Sequence, residues 1–456
     1  MRDLMLGRDP YDIDLVTPGP PEPLARKFAD SIGGRFFIMS GEFMTCRAIS
    51  ADGLVNYDFA ALRGGHIIED LGERDFTVNA MAVELPGGKK VIDPFGGGAH
   101  LAGREMVPVN DSIFDNDPLR LLRAPRLEKT HKLVIGPSLA RLISARATLA
   151  SSPAAERIFL ELSRILAAPG VSASVARLDE LGLLEVLLPE LSALKGVTQN
   201  EYHHLDVFNH VLASVEALEN ELDNPESFFP GRGQAIGKRI NRGIAGDADC
   251  RLALILAALF HDIAKPHCRF IDDDGQVRFF EHDRLGADLA DDILTRFKVS
   301  NEAKKTVTHL VRRHLRFEGL LQENIPSDRA CLRYLKATEP WSIEAILLSV
   351  SDRLAVRGAR VSEKDIDHHL GLARSLMEQA FTREETRPLP ALVSGDELMR
   401  DLGIGPGPTV GELLDQIQNE QELGNIVSRE QALTLARKLA SWNSENSSRP
   451  AGGGVE

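Results

Sequence analysis

Residues 11–16 have the sequence YDIDLV, and this stretch decides the fold of the first part of the chain. Acidic and apolar residues alternate along it, as they do in a β-strand, where successive side chains point to opposite faces. The alternation predicts a strand that carries Asp12 and Asp14 on one face. Asp58 lies in a second strand-like run, VNYDFAALR at 55–63, and is placed to add a third carboxylate. Three carboxylates on one sheet suit Mg²⁺, and two such ions about 4 Å apart promote attack on a phosphoryl group.

Short β-prone runs separated by Gly, Pro and Asp continue to about residue 110 and predict a small mixed β-sheet. These further runs are RFFIMS at 35–40, FMTCRAIS at 43–50, LVNYDFA at 54–60 and FTVNAMAVEL at 76–85. From Asp111 on, apolar residues recur with the helical period, so the rest of the chain is predicted to be mainly α-helical. The predicted fold class is therefore α+β.

The changes in pattern along the chain predict several domains. They are a sheet domain at 1–110, a helical neck at 111–190, a second helical domain at 191–380, a helical tail at 390–443 and a disordered end at 444–456. The stretch 223–249 is rich in Gly, Asn, Asp and Pro and predicts a long surface loop, and 383–390 predicts a linker.

The bulk composition excludes some classes of protein. The chain has no run of about eighteen apolar residues and no apolar N-terminal stretch, so neither a membrane span nor a signal peptide is predicted. We expect a cytoplasmic protein with no membrane partner, whose four scattered cysteines are reduced. The net charge of −14 argues against a nucleic-acid binder, but basic clusters at 238–242 and 304–316 concentrate positive charge locally.

A second group of candidate residues lies in the helical part of the chain. His261 and Asp262 follow a strongly apolar run within LALILAALFHDIAKP at 252–266, so two metal-ligand types emerge from the end of a buried helix. His210 lies in an earlier amphipathic run, and Asp352 lies in a later one. Each histidine taken alone reads as a capped or surface residue.

Four ordered motifs in the first 125 residues resemble the signature of the tRNA nucleotidyltransferase and bacterial poly(A) polymerase family. They are RDLMLGR at 2–8 with DID at 12–14, RDFTVNAMA at 74–82, DPFGG at 93–97 and DPLRLLR at 117–123. The resemblance continues to GDELM at 395–399 and GPGPTVG at 405–411, and so covers nearly the whole chain. The order His210, His261-Asp262, Asp352 resembles the HD phosphohydrolase superfamily, a domain that many bacterial tRNA nucleotidyltransferases carry.

The resemblance implies a nucleotidyltransferase palm, a neck, an HD domain and a tail. In the reaction it implies, Mg²⁺ ions held by Asp12 and Asp14, with Asp58 as the third acid, activate an RNA 3′-hydroxyl for attack on CTP or ATP. The implied partners are the 3′ end of tRNA or another RNA, together with CTP and ATP. The positions that match the nucleotide-binding motifs of the family are Arg2, Arg8, Arg74, Asp75, Asn79, Asp117, Arg120, Arg123 and Arg126.

These matched positions have different implied roles. The motif at 74–79 would contact the ribose and phosphates and distinguish ribonucleotides from deoxyribonucleotides. Asp117 and Arg120 match the template that reads the incoming base, since a carboxylate and a guanidinium can pair with a base edge as another base would. Arg123 and Arg126 would face phosphates, with an exposed helix face as the alternative.

In the HD domain the resemblance implies that the four residues of that order hold a divalent ion, of unknown identity, with open positions for phosphate and water. His282 and His314 occur where some HD domains place extra ligands or phosphate contacts. Lys265 is placed to contact a substrate phosphate, or else to cap the end of a helix. The substrate would be a phosphomonoester or a 2′,3′-cyclic phosphate.

The sequence departs from the family pattern near the head motifs. Asn116 replaces the glutamate of the template, and Glu73 replaces the usual first arginine before Arg74. The family also has a Gly-Gly turn just upstream of the first motif, whose backbone amides bind the triphosphate, whereas this chain starts at Met1. We therefore expect either that the natural chain begins further upstream or that the head has decayed.

Alternative functions stay open. A poly(A) polymerase shares the head, but the basic aromatic stretch expected after the template is replaced by APRLEKTHKLVIGPSL at 124–139. An HD phosphohydrolase with an inactive transferase head would follow from the missing glycines, and a non-catalytic RNA-binding protein would need both sites to fail. Ten residues separate Arg63 from Arg74, which is short beside the flexible loop implied for enzymes that add all of CCA. We therefore predict that CC is added more readily than the final A.

Overall fold

The computed structural model describes residues 1–40, 45–88, 90–200, 202–245, 248–322, 325–358, 360–386 and 389–447. The chain divides into two units, which are Met1–Lys195 with Asp292–Ser300, and Gly196–Asp291 with Asn301–Glu456. The finer domain boundaries drawn from the sequence stay a prediction. Within the described ranges, no helix is both long and apolar enough to cross a membrane.

The mixed sheet predicted near the N-terminus is confirmed. Its strands are β1 (Asp12–Thr17), β2 (Arg35–Ser40), β3 (Thr45–Ile49) and β4 (Asn56–Ala61), preceded or separated by helices α1 (Arg2–Met5) and α2 (Pro21–Ser31). The strand order is β1-β4-β3-β2, with β1 parallel to β4 and the other neighbours antiparallel. One face packs on α2, where Ala25 and Ala29 meet Cys46, Ala48 and Phe59 in a small buried cluster. The opposite face carries the acidic residues.

The strand predicted at 76–85 forms only in part. The segment instead forms a 3₁₀ turn at Thr77–Asn79 and a two-residue strand β5 (Ala82–Val83), which pairs with β6 (Val91–Ile92). The Asp75 carboxylate accepts hydrogen bonds from the Phe76 amide and the Asn79 side chain, and these local bonds favour a turn over an extended ladder. Phe76 and Val78 are apolar and completely buried. Their apolar character is why the sequence of this run resembles that of a strand.

The remaining helices of the head are α3 (Ile67–Gly72) and α4 (Gly97–Ala102). Asp93 fixes the start of α4, because its two carboxylate oxygens accept from the amides of Gly97 and Gly98 at 2.7 and 2.9 Å. A Cβ atom at Gly97 would lie 2.1 Å from the Thr77 carbonyl oxygen, so glycine is required for this close approach.

The helical neck follows in the same unit. Its helices are α5 (Ile113–Asn116), α6 (Arg120–His131), α7 (Pro137–Arg146), α8 (Ala155–Ala167), α9 (Val171–Glu180), α10 (Leu183–Leu187) and α11 (Pro189–Ser192). Helix α6 packs against α8 and α9, and its buried side chains include Leu121, Leu122 and Leu127. This packing fixes the helix that carries the predicted nucleotide template.

The second unit is mainly helical. Its first elements are α12 (Val207–Asp223), α13 (Pro225–Phe228), α14 (Gly233–Ile240), β7 (Gly243–Ala245), β8 (Ala248–Asp249), α15 (Cys250–Phe260), α16 (Lys265–Cys268), β9 (Arg269–Ile271) and β10 (Val277–Phe279). The later elements are α17 (His282–Arg296), whose end from Asp292 belongs to the first unit, α18 (Asn301–Arg313), α19 (Asp328–Thr338), α20 (Ser342–Ala355), α21 (Glu363–Glu385), α22 (Gly395–Leu402), α23 (Pro408–Glu422) and α24 (Arg429–Ser447). Helix α12 packs along α20 and α15, and α15 packs on α18.

The long surface loop predicted at 223–249 is wrong, because α13 and α14 lie within it. Ile236 and Ile240 are spaced one helical turn apart and both are buried, which gives α14 an apolar side. At the other end of the unit, α24 continues to Ser447, beyond the predicted boundary at 443. The rest of the predicted disordered end, 448–456, lies outside the described residues.

Candidate active site and candidate metal centre

The three predicted catalytic carboxylates lie on the same face of the head sheet. Asp14 in β1 is the register partner of Asp58 in β4, and Asp12 is the partner of Asn56. The Asn56 amide donates to Asp12 Oδ1 at 2.9 Å. Asp14 is two-thirds exposed, so its oxygens are open to solvent. The strand alternation thus places the acids as the sequence predicts.

Arg47 forms an ion pair with the third carboxylate, that of Asp58. Its Nε and Nη2 atoms donate to the two oxygens of Asp58 at 2.6 and 2.7 Å, and this hydrogen bonding raises the pKa of Arg47. Among the described residues of the head, Asp12, Asp14 and Asp58 do not bring their oxygens together into a close set of ligands. A metal ion that uses Asp58 must therefore compete with this guanidinium.

The motif at 74–79 reaches the carboxylates of the sheet through one residue. Arg74 lies 3.8 Å from Asp14 through its Nη1 atom. Asp75 is buried, forms a 2.8 Å ion pair with Arg123 of α6, and accepts from Asn79 at 2.9 Å. Arg2 in turn donates to Asn79 at 2.7 Å. These contacts link four of the predicted nucleotide-binding residues in one chain and leave Arg74 beside the carboxylates.

The template residues are partly occupied by contacts within the protein. Arg120 donates to the Glu73 and Ile113 carbonyl oxygens, and burial lowers its pKa. Asp117 lies 3.8 Å from Arg157. Arg120 therefore lies next to the motif at 74–79, since Glu73 directly precedes Arg74.

Two other predicted nucleotide-binding arginines have separate partners. Arg126 forms a 3.0 Å ion pair with Glu161 of α8, a residue that is 5% exposed, and this pair favours a structural role for Arg126. Arg8 donates to the Thr130 carbonyl oxygen at 3.4 Å. Neither contact brings its guanidinium to the carboxylates of the sheet.

The second unit brings together all four predicted metal ligands. His210 comes from α12, Asp352 from α20, and His261 and Asp262 follow directly after α15. The His210 Nε2 atom lies 3.0 Å from Asp352 and 3.5 Å from Asp262. The His261 Nε2 atom lies 3.2 Å from Asp262 and 3.6 Å from Asp352. The two histidines and Asp262 are almost completely buried.

A second group of ligands shares Asp262. His282 at the start of α17 and His314 after α18 place their Nε2 atoms 3.3 and 3.9 Å from Asp262 Oδ1. The ligand atoms of His210, His261 and Asp262 lie within 4.8 Å of one another, and so do those of Asp262, His282 and His314. Asp262 is therefore common to two neighbouring clusters.

The histidine rings are oriented by the backbone. The Nδ1 atoms of His261, His282 and His314 lie 2.6–2.8 Å from the carbonyl oxygens of Ala258, Phe279 and Val311. Because Nδ1 donates its proton there, Nε2 is left as the atom that can bind a metal. The Nε2 atoms of these rings are buried and make no hydrogen bond within the described structure. Buried imidazole nitrogens that converge on a carboxylate fit a divalent metal ion.

Charges in this cluster depend on Asp262. Burial opposes the charged ring, but the adjacent Asp262 carboxylate outweighs it and raises the pKa of His261 to about 9. Burial also opposes the charged Asp262, whereas His261 and Lys265 hold the pKa of this carboxyl well below its ordinary range. Lys265 lies 2.6 Å from Asp262 and donates to Gln199 at 2.6 Å. Burial lowers the pKa of His314 to about 3.

Two residues next to the histidine and aspartate cluster were not predicted from the sequence. His203 packs edge-on against the His210 ring at 4.8 Å, and burial lowers the pKa of His203 to about 3. Gln199 accepts a hydrogen bond from Lys265 through its side-chain oxygen. Both lie in the segment before α12, where the sequence shows no periodicity to place them.

Three family models match parts of this chain. The Poly A polymerase head domain matches residues 1–106, the model described as the probable RNA and SrmB-binding site of polymerase A matches 133–195, and the HD domain matches 232–357. The HD match includes His261, Asp262 and Asp352 but begins after His210, which the structure adds to the same cluster.

Curated relatives match over nearly the full length. The A-adding tRNA nucleotidyltransferase of Deinococcus radiodurans is 33% identical over 96% of this chain and 94% of its own length. The CC-adding tRNA nucleotidyltransferase of Thermus thermophilus is 31% identical over 95% of this chain and 90% of its own.

Solved structures share the fold. A CCA-adding enzyme in complex with CTP matches with a TM-score of 0.63 at 21% identity. The match covers 97% of this chain and 89% of the chain of that enzyme. The Thermotoga maritima CCA-adding enzyme complexed with tRNA has a TM-score of 0.59 at 22% identity, with coverage of 97% and 89%.

Proposed function

The chain belongs to the family of tRNA nucleotidyltransferases with a poly(A) polymerase head and an HD domain, and from this premise we propose that it adds CMP or AMP to the 3′ end of tRNA. The observation that carries the proposal is the common sheet face of Asp12, Asp14 and Asp58. Carboxylates on one open face suit Mg²⁺, which when bound would activate the 3′-hydroxyl and neutralise the charge of the leaving pyrophosphate. We expect the reaction to take place in the cytoplasm.

The contacts of the head support specific roles for its residues. Arg74 lies beside Asp14, where its guanidinium would meet the phosphates of CTP or ATP. The chain of contacts from Arg2 through Asn79 to Asp75 holds this motif against Arg123. Asp75 therefore acts as a buried support for the nucleotide site, and Arg74 acts as the residue that touches the ligand.

We propose that CTP is the preferred nucleotide and that CC is added more readily than the final A. The segment between Arg63 and Arg74 holds the short helix α3, which leaves little chain for a flexible loop. A second candidate, addition of A alone, is favoured by the Deinococcus radiodurans relative, which is named A-adding, whereas the Thermus thermophilus relative is named CC-adding.

One experiment separates these activities. The purified chain with Mg²⁺ is given tRNA that lacks its CCA end together with CTP alone, and tRNA that ends in CC together with ATP alone. We expect two cytidine additions to the first substrate and slow addition of A to the second. Efficient A addition with no incorporation of C would contradict the CC preference, and repeated A addition to unrelated RNA would favour the poly(A) polymerase alternative.

We also propose that the second unit is a metal-dependent phosphohydrolase. The observation that carries it is the buried double cluster in which Asp262 is shared, so that His210, His261 and Asp352 would hold one ion and His282 with His314 a second. The bound ions would supply a water of lowered pKa and would polarise a phosphate. Lys265, beside Asp262, would contact an oxygen of that phosphate.

The phosphohydrolase is tested by metal content and by activity. After reconstitution with Ni²⁺, Mn²⁺, Co²⁺ or Zn²⁺ in turn and desalting, we expect two ions per chain for the metal that supports hydrolysis of a phosphomonoester or of a 2′,3′-cyclic phosphate. A content of one ion per chain in the active protein would contradict the second ion. The absence of both bound metal and hydrolysis would contradict the whole site.

A further inference from the structure

The row of residues that contains the carboxylates extends past Arg47 to an aromatic residue. Asp14 pairs with Asp58, Asp58 pairs with Arg47, and Arg47 pairs with Phe37 of β2, so the four side chains share one face of the sheet. Phe37 belongs to the edge strand and is 45% exposed.

Phe37 does not serve the core of the head. Its neighbour Phe36 lies on the opposite face, where it packs with α2, and Arg26 stacks over its ring at 4.3 Å. Phe37 instead leaves much of a large apolar ring in water on the face that carries the acids. An aromatic ring exposed beside a guanidinium is the usual composition of a surface that stacks a nucleobase and contacts its backbone.

The position of the ring suits the end of an RNA chain. Strands in a sheet are about 4.8 Å apart, so Phe37 lies ~10 Å from Asp58 along the row. The attacking 3′-hydroxyl has to be at the carboxylates. Only the ribose separates this hydroxyl from the base of its own nucleotide, so the base that can reach Phe37 is that of the preceding nucleotide. Arg47 lies between the two positions. Its Nε and Nη2 atoms donate to Asp58, and its third nitrogen, Nη1, would contact the phosphate that joins these two nucleotides.

We propose that Phe37 is the stacking surface for the base of the penultimate nucleotide of the RNA, with Arg47 as the contact for the phosphate between this nucleotide and the terminal one. This inference rests on the proposed transferase function and adds the subsite for its RNA substrate. It explains why the edge strand carries an exposed aromatic residue on the acidic face, and why a basic residue separates it from Asp58.

The test uses tRNA with 2-aminopurine as the base of its penultimate nucleotide, because stacking quenches the fluorescence of this base. We expect strong quenching with the wild type and with Phe37→Tyr, and loss of quenching with Phe37→Ala. The matched control is Ile38→Ala, since Ile38 is 57% exposed on the same strand but faces the other side of the sheet. This control should keep the quenching of the wild type.

Steady-state kinetics give the second readout. Phe37→Ala should raise the KM for tRNA about tenfold, which is the size of the effect of one stacked base, and should leave the KM for CTP unchanged. Equal quenching and equal KM for tRNA in the wild type and Phe37→Ala would overturn the proposal. A third outcome is possible, in which the wild type quenches the fluorescence, Phe37→Ala does not, and the wild type incorporates no nucleotide. This outcome would support the subsite and contradict the transferase function.

Discussion

The orientation of three histidine rings is fixed by the residue three positions earlier in the chain. Ala258, Phe279 and Val311 supply the carbonyl oxygens for His261, His282 and His314. In each case a helix end or turn brings the carbonyl back to the ring, so the backbone chooses the nitrogen that remains available. These backbone contacts fix the rings in the orientation that a metal site would need.

We predict that His261→Ala combined with Asp262→Ala removes bound metal from the second unit. Asp262 belongs to both clusters, so its loss removes a ligand from each ion. Metal content by mass spectrometry should fall from two ions per chain to none, and phosphohydrolase activity should be lost. His309→Ala is the control, because His309 lies in α18 but its Nε2 contacts the Thr338 carbonyl. Normal metal content in the double variant would contradict the assignment.

His369 gives the second unit a pH-dependent stability. It is 2% exposed, stacks on Phe317 and contacts Ser349, and burial lowers its pKa from 6.5 to about 3. The unfolded chain therefore binds more protons than the folded one below pH 6.5. The contribution of this residue is complete above pH 6.5 and is lost as the pH falls from there toward 3.

Between pH 7 and pH 5 this effect amounts to about 2 kcal/mol of unfolding free energy. We predict that the free energy of unfolding of His369→Gln, measured with urea, falls less between pH 7 and pH 5 than that of the wild type. The difference should be about this amount, because glutamine does not titrate. The exposed neighbour gives a control, since His368→Gln should keep the decrease of the wild type. An identical decrease in wild type and His369→Gln would contradict the buried-histidine explanation.

The sequence predicts which side chains lie close together in the second unit, but it does not predict the ion pairs in the head. His210, His261, Asp262 and Asp352 lie together as expected, since the resemblance supplied the order of the four. The ion pair of Asp58 with Arg47 was not predicted, because it depends on the register between β3 and β4. Register is set by packing of the whole sheet, and a single strand sequence does not contain it.

At the scale of elements, the alternating strands were easier to predict than the compact turn that follows them. The strand β1 alternates because one face packs on α2 and the other faces water. The segment at 76–81 is also rich in apolar residues, but most of it is buried, and the hydrogen bonds that Phe76 and Asn79 donate to the Asp75 carboxylate close it into a turn. Composition alone cannot separate a buried turn from a buried strand.

The start of α4 makes a testable prediction about packing. Because a Cβ at Gly97 would lie 2.1 Å from a backbone oxygen, Gly97→Ala should destabilise the first unit by about 1–3 kcal/mol despite the better helix propensity of alanine. The control is Gly65→Ala, where the added Cβ meets nothing within 4 Å, and its effect should stay within about 0.5 kcal/mol. Thermal unfolding measures both, and equal melting temperatures for the two variants would contradict the close approach.

At the scale of the whole molecule, net charge is a poor guide to the partner. The net charge of −14 argues against RNA, yet the chain belongs to a family of tRNA nucleotidyltransferases. The basic clusters do not resolve this, because Lys304 and Arg312 pair with Asp291 and Asp288, and Arg239 pairs with the buried Glu344. Arg47 and Arg74 at the candidate site are paired with carboxylates in the same way, so neither net charge nor clusters of basic residues identify the surface that contacts RNA.

Because each unit supplies its own ligand residues, the two proposed activities should be separable by mutation. We predict that Asp14→Ala lowers nucleotide addition by at least about 10²-fold, since metal ions at such a site supply several kcal/mol of transition-state stabilisation. Its metal content in the second unit and its phosphohydrolase rate should equal those of the wild type. The double variant His261→Ala with Asp262→Ala should show the reverse pattern, with normal incorporation of CMP. Transfer at the wild-type rate by Asp14→Ala would contradict the catalytic role of the sheet face. Loss of both activities in either variant, with the fold intact by circular dichroism, would mean that the two sites depend on each other.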